Sequence, residues 1–134
     1  MNWTRTIGAG VVGGIVLWIA AFVLHGLVMG STYMKYPEVF TQEEANPLWF
    51  LLIEILIAIP AAIIFAKTRG SWSAGVLGGV IFGFWIGLFG FFPQFFNPLV
   101  IEGFPYYLAW CWAGINMILS LILGAVLGGI IKAS

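Results

Sequence analysis

Four side chains able to carry a proton, ligate a metal or hold a partner dipole lie inside long apolar stretches of this sequence: His25, Glu54, Cys111 and Asn116. An ionisable side chain at the centre of a membrane-spanning helix costs about 2.5–3.5 kcal/mol on insertion scales, so such groups normally face a bundle interior. Counted from the outer ends of their stretches, His25 is roughly 6 Å deep and Glu54 roughly 10 Å deep. That near-match predicts an imidazole–carboxylate contact between sequential helices. Two chemistries suit the pair: a structural hydrogen bond that clamps helices, or a proton or ion site. His25, near a helix end, also fits a side chain that simply reaches the interface. Asn116 reads as interhelical glue and Cys111 as small core filling, under a loop carrying Gln94 and Asn97.

Most catalytic chemistries lack their parts. A catalytic zinc site takes about three protein ligands plus an open position, and one His, one Glu and one distant Cys supply it poorly. The chain contains no Asp, so no Ser/His/Asp set exists, and the His–Glu pair has no nucleophile beside it. We expect no catalytic residue and no metal site. Haem or chlorophyll could use His25 as an axial ligand, although with one His per chain a second imidazole would have to come from a dimer.

The elements that must position these residues follow from composition. The 134 residues are 62% hydrophobic and 7% charged, with mean hydropathy +1.08, against about 25% charged in a soluble domain. Four stretches are long enough to cross a hydrocarbon core of about 30 Å: 7–29, 47–66, 73–92 and 106–131. They predict an all-α, single four-helix transmembrane bundle over 1–134, with no separate soluble domain and the lipid bilayer as its surroundings. The first stretch is too long for a signal-peptide core and no small-x-small cleavage site follows it, so it reads as a retained helix. Net charge is +0, which leaves no nucleic-acid footprint. Arg5, Lys67, Arg69 and Lys132 share one side, while Lys35 alone lies opposite with Glu38, Glu43, Glu44 and Glu102. By the positive-inside rule both termini are cytoplasmic, in a bacterial inner membrane, and 30–46 and 93–105 are outer loops. Aromatic residues from Tyr33 to Trp49 and from Phe91 to Trp112 form the outer belt; Trp3 and Trp72 mark the inner one. Asn46 and Pro47 read as N-cap and first position of span two. Thr41-Gln42-Glu43-Glu44 fits a capping box, and Pro60 a kink.

One phrase is written three times: GVVGGIV at Gly10, GVLGGVI at Gly75 and AVLGGII at Ala125. Helices in lipid associate by close backbone approach, which small residues four apart permit. Gly10/Gly14, Gly75/Gly79/Gly83/Gly87 and Ser120/Gly124/Gly128 are such ridges, with Ala58/Ala62/Ala66 on span two. All three copies fall at one depth, so the expectation is three glycine-faced helices packed against each other. A duplicated two-helix hairpin would explain the copies of spans one and three, and biased composition explains them as well.

GVLGGVIFGFWIGLFGFF, the EGFPYY run before the last span and the SLILGAVLGG close resemble the small four-helix bacterial membrane proteins classed as domains of unknown function. The likeness covers about the C-terminal half and implies a four-helix inner-membrane protein, with no catalytic residue to transfer. Two functional classes lead: a non-catalytic accessory or homo-oligomeric subunit of a membrane complex, supported by glycine ridges beyond one bundle's needs, and a small transporter or channel for a proton, ion or small molecule using Glu54 and His25. The topology makes the first prediction: a cysteine introduced at Ser134 stays unlabelled by an impermeant thiol reagent in intact cells and labels after permeabilisation.

Overall fold

The computed structural model describes residues 1–41 and 45–133. The capping box expected at 41–44 therefore reaches outside the described residues, and so does Ser134. Four long helices are present: α1 (Trp3–Ala21), α2 (Pro47–Lys67), α3 (Gly75–Phe91) and α4 (Tyr106–Ile130). α1 runs on as a π-helical stretch, Phe22–Val28, and α3 through a 3₁₀ turn, Phe92–Phe96, into a short helix, Asn97–Val100. With these continuations all four are long and apolar enough to cross a membrane.

Two boundaries differ from the sequence reading, and both have local causes. α1 begins at Trp3 rather than at residue 7 because Asn2 caps it: its side-chain oxygen accepts the Arg5 N–H at 3.0 Å, and Thr6 Oγ1 donates to the Asn2 carbonyl at 2.8 Å. A hydropathy window skips this polar first turn. The third span continues past residue 92 to Val100, shortening the loop expected at 93–105, since Pro93 opens the 3₁₀ turn where its missing N–H matters least. The start of α2 is as read, with the Asn46 side chain accepting the Leu48 N–H at 3.0 Å ahead of Pro47. α2 stays helical through Pro60.

Glycines set how close the helices come. A Cβ on Gly79 would strike the Gly124 carbonyl oxygen and one on Gly124 the Gly79 oxygen, while Gly128 sits 2.5 Å, by the same measure, from the Gly75 oxygen. α3 and α4 thus touch backbone to backbone. The first copy of the repeated phrase behaves differently from expectation. A Cβ on Gly10 or Gly14 would lie 2.8 or 2.6 Å from the Cα of Ile59 or Ile55 on α2, and one on Gly13 would meet Leu123 of α4. Glycine faces glycine only between the second and third copies; the first receives isoleucines, because the facing surface of α2 carries Ile55 and Ile59 beside the buried Ala58 and Ala62.

The four-glycine ridge of α3 is not the uniform packing surface that its spacing predicts. Only Gly79 meets a glycine through its own missing side chain. A Cβ on Gly83 would still strike backbone, but at the Ser120 carbonyl oxygen; one on Gly87 would meet side chains instead, Met117 Sδ at 2.8 Å and Ser120 Cβ at 3.0 Å. Four residues at a time, the partners on α4 run from Gly128 and Gly124 to Ser120 and Asn116, so that towards the far end of the ridge side chains replace glycine backbone as the facing atoms. At the other end of the ridge, a Cβ on Gly75 would meet nothing within 4 Å. Gly75 lends its carbonyl to the contact, and its φ of +69° shows why the residue is glycine: the chain turns into α3 there in the left-handed region.

The resulting order in space is α2–α1–α4–α3. α3 with α4 is the largest pairing, followed by α1 with α2 and then α1 with α4; α2 barely touches α4. The central α4 has 39% of its apolar span buried and the outlying α2 only 22%. At the end carrying Arg5, Lys67, Arg69 and Lys132, the basic end, α2 and α3 meet through the Phe65 and Phe82 rings, with centroids 5.0 Å apart. Elsewhere the backbones of α2 and α3 make no substantial contact.

Backbone contact of this kind leaves no room for even a methyl group. Gly124→Ala should destabilise by about 1–3 kcal/mol, the usual range for overpacking, and Gly79→Leu or Gly128→Leu should prevent α3–α4 docking. Gly114, where an added Cβ meets nothing within 4 Å, should accept alanine without loss. Thermal unfolding in detergent tests the contrast, and equal stability of all variants would refute it.

Candidate functional site

The four polar candidates do not converge. His25 sits on the π-helical stretch, whose turns hold more residues than α turns, so the face defined by Gly14, Trp18 and Ala21 no longer predicts its direction. The Met29 N–H reaches the Leu24 carbonyl five residues back, at 3.1 Å, and the short helix Gly30–Tyr33 follows at once. This turn folds Tyr33 back over α1. His25 Nδ1 lies 2.6 Å from the Tyr33 hydroxyl, and Trp112 Nε1 on α4 donates to the same oxygen at 2.7 Å. Phe40 packs 4.8 Å from the Tyr33 ring and Phe104 5.2 Å from the Trp112 ring, centroid to centroid.

Donor and acceptor chemistry orders this chain. The indole N–H can only donate, so Tyr33 accepts from Trp112, and the same hydroxyl, with a second lone pair and its own proton, completes the bond to His25 Nδ1 in either tautomer. Burial pushes the Tyr33 phenol above its ordinary range, the Trp112 bond pulls it down and nearby Cys111 pushes it up. It is therefore a hydroxyl, not a phenolate, at neutral pH. The cluster ties the first loop to α1 and α4 and caps the aromatic end of the bundle. Because Nδ1 is engaged, an axial bond to haem or pigment would fall to Nε2.

Glu54 is not part of it. Gly14 opposes Ile55 and Gly10 opposes Ile59, which fixes the antiparallel register. His25 is eleven residues beyond Gly14, whereas Glu54 is one residue beyond Ile55, so the two are separated along the bundle by more than about 10 Å. The expected His25–Glu54 contact is thereby overturned. Counting depth from the aromatic ends assumed that those ends were level; the basic ends are level instead, and the longer first span overhangs the start of α2. Glu54 stands half-exposed one turn beyond the buried Ala58.

Asn116 works with Gln94 and Asn97. Pro93 has no N–H to offer the Gly90 carbonyl in the 3₁₀ turn; Gln94 Nε2 donates to that oxygen at 3.2 Å and Asn116 Nδ2 at 3.3 Å, while Asn97 donates to Gln94 at 3.3 Å. Cys111 is half-buried beside Trp112. Among the described residues no three of His, Cys, Asp and Glu come together. Tyr33 and Trp112 read in the sequence as belt aromatics, and no pattern marked them as partners of His25, because the π turn that joins them has no sequence period. Arg69, read only as a topology charge, is 7% exposed.

Comparison with protein-family models, with curated proteins and with solved structures finds no match.

The site generates a double-mutant test. Tyr33→Phe removes the hydroxyl that serves both His25 and Trp112 and should cost about 1–3 kcal/mol, the penalty for stranded buried polar groups. His25→Phe and Tyr33→Phe should be non-additive, whereas His25→Phe and Glu54→Gln should add to within about 0.5 kcal/mol, as distant sites do. Coupling between His25 and Glu54 in thermal unfolding would contradict the register.

Proposed function

We propose that this chain is a non-catalytic, multi-pass subunit of a bacterial inner-membrane assembly, with both termini cytoplasmic, and that a second copy covers the open side between α2 and α3. The observation that carries the reading is Glu54. It shares a face of α2 with the buried Ala58, Ala61 and Phe65, yet stands half-exposed itself, while α1 packs on the adjoining Ile55. A carboxyl group in that position is costly against lipid and is normally turned towards protein. A partner helix laid into the gap supplies the covering surface, and the largely exposed apolar face of α2 extends it. A second reading uses the same gap: closed by Phe65 and Phe82 at the basic end and open beyond, it has the shape of a one-sided gate with Glu54 as proton or ion site.

Glu54→Leu and Glu54→Gln separate the two. In nanodiscs, native mass spectrometry should find the wild type oligomeric, Glu54→Leu dissociated and Glu54→Gln still assembled through its amide. Neither change should alter proton flux in proteoliposomes. A monomeric wild type, or full assembly of Glu54→Leu, removes the subunit reading. Loss of pH-dependent flux in Glu54→Gln selects the gate. An absorption spectrum of the purified protein shows whether haem or pigment accompanies it.

A further inference from the structure

Independently of Glu54, the basic end holds a second unfinished site. Arg5, Lys67, Arg69 and Lys132, contributed by three parts of the chain remote in sequence, line one pocket of 310 Å³ together with Asn2 and Thr6. No carboxylate among the described residues lines it. We propose that this pocket holds the phosphate group of an anionic phospholipid.

Arg69 is the reason. Its guanidinium is stacked over the Phe65 ring at 5.2 Å, and three of its N–H groups are spoken for: Nε donates to the Ile131 carbonyl at 3.0 Å, and Nη1 to the carbonyls of Trp72 at 3.1 Å and Ser73 at 3.0 Å. An arginine has five N–H donors, so the two on Nη2 remain. Every fully buried side-chain nitrogen and oxygen among the described residues has a partner; Nη2, which makes no bond to them, therefore keeps accessible surface, and Arg69 lines the pocket. A fixed guanidinium edge with two donors fits the oxygens of a phosphate, and the exposed Arg5, Lys67 and Lys132 add charge around it.

A topology signal alone explains less. The positive-inside rule asks only that basic residues lie on one side; it requires neither their convergence on one pocket nor the burial of one of them without a counter-ion among the described residues. The pocket lies where the spanning helices end, which is the level of headgroup phosphates, and basic pockets between transmembrane helices are the known form of headgroup recognition.

The test uses the full chain and native mass spectrometry with thermal unfolding, comparing nanodiscs of phosphatidylcholine with nanodiscs of an equimolar phosphatidylcholine–phosphatidylglycerol mixture. One phosphatidylglycerol should be retained and the unfolding temperature should rise. Arg5→Gln/Lys67→Gln/Lys132→Gln, confined to exposed side chains, should weaken retention roughly a hundredfold while leaving stability in phosphatidylcholine unchanged. Arg69→Lys should lower retention even where the fold survives, since an ammonium cannot copy the two-donor edge. Equal retention of phosphatidylcholine, or undiminished retention of phosphatidylglycerol by the triple variant, would overturn the proposal. The same stabilisation by inorganic phosphate alone, with the same dependence on the three residues, would overturn a lipid as the source.

Discussion

Everything in this fold hangs on the backbone contact between α3 and α4 at Gly79 and Gly124. In lipid, an apolar side chain gains nothing by leaving its neighbours for another helix, so association has to come from close approach and the contacts it permits. Where two glycine surfaces meet, that approach is greatest, and the α3–α4 pair becomes a rigid half. α1 then joins α4 by receiving Leu123 at Gly13, and α2 joins α1 by setting Ile55 and Ile59 over Gly14 and Gly10. The attachment is serial. α2 is held mainly by α1, and its separation from α3 is a consequence of that order.

The same glycines decide the register, and the register decides which polar groups can meet. Because Gly10 and Gly14 take Ile59 and Ile55, α1 and α2 are level at the basic end, and the surplus length of the first span projects at the other. His25 lies in that projection, past the first turn of α2. Its partners come from Tyr33, folded back by the π turn, and from Trp112 on the antiparallel α4. A carboxylate on α2 is out of reach.

What the sequence made legible was local. Apolar length marked the four spans, Asn46-Pro47 marked the start of α2, and four-residue glycine spacing marked the surfaces of α3 and α4. What it hid was relational. A ridge such as Gly10/Gly14 shows that something comes close without saying whether the visitor is glycine or isoleucine. Along Gly79, Gly83 and Gly87 the spacing is constant while the visitor changes from a glycine to a serine carbonyl to a methionine side chain. A depth counted from a span's end likewise presumes a stagger that only packing fixes. Arg69 shows the same limit: in the sequence it is one charge in a short turn, and only the return of α4 brings the Ile131 carbonyl to its Nε and turns that charge inward.

The distribution of satisfied and unsatisfied groups then bears on what kind of protein this is. Inside the bundle the polar accounts close: Tyr33 serves His25 and Trp112, the Gly90 carbonyl takes Gln94 and Asn116, and no fully buried side-chain nitrogen or oxygen among the described residues lacks a partner. Two groups stay incomplete: Glu54, half-exposed on α2, and the Nη2 of Arg69, which makes no bond to the described residues. On the reading proposed above, another helix covers the first and an anion meets the second.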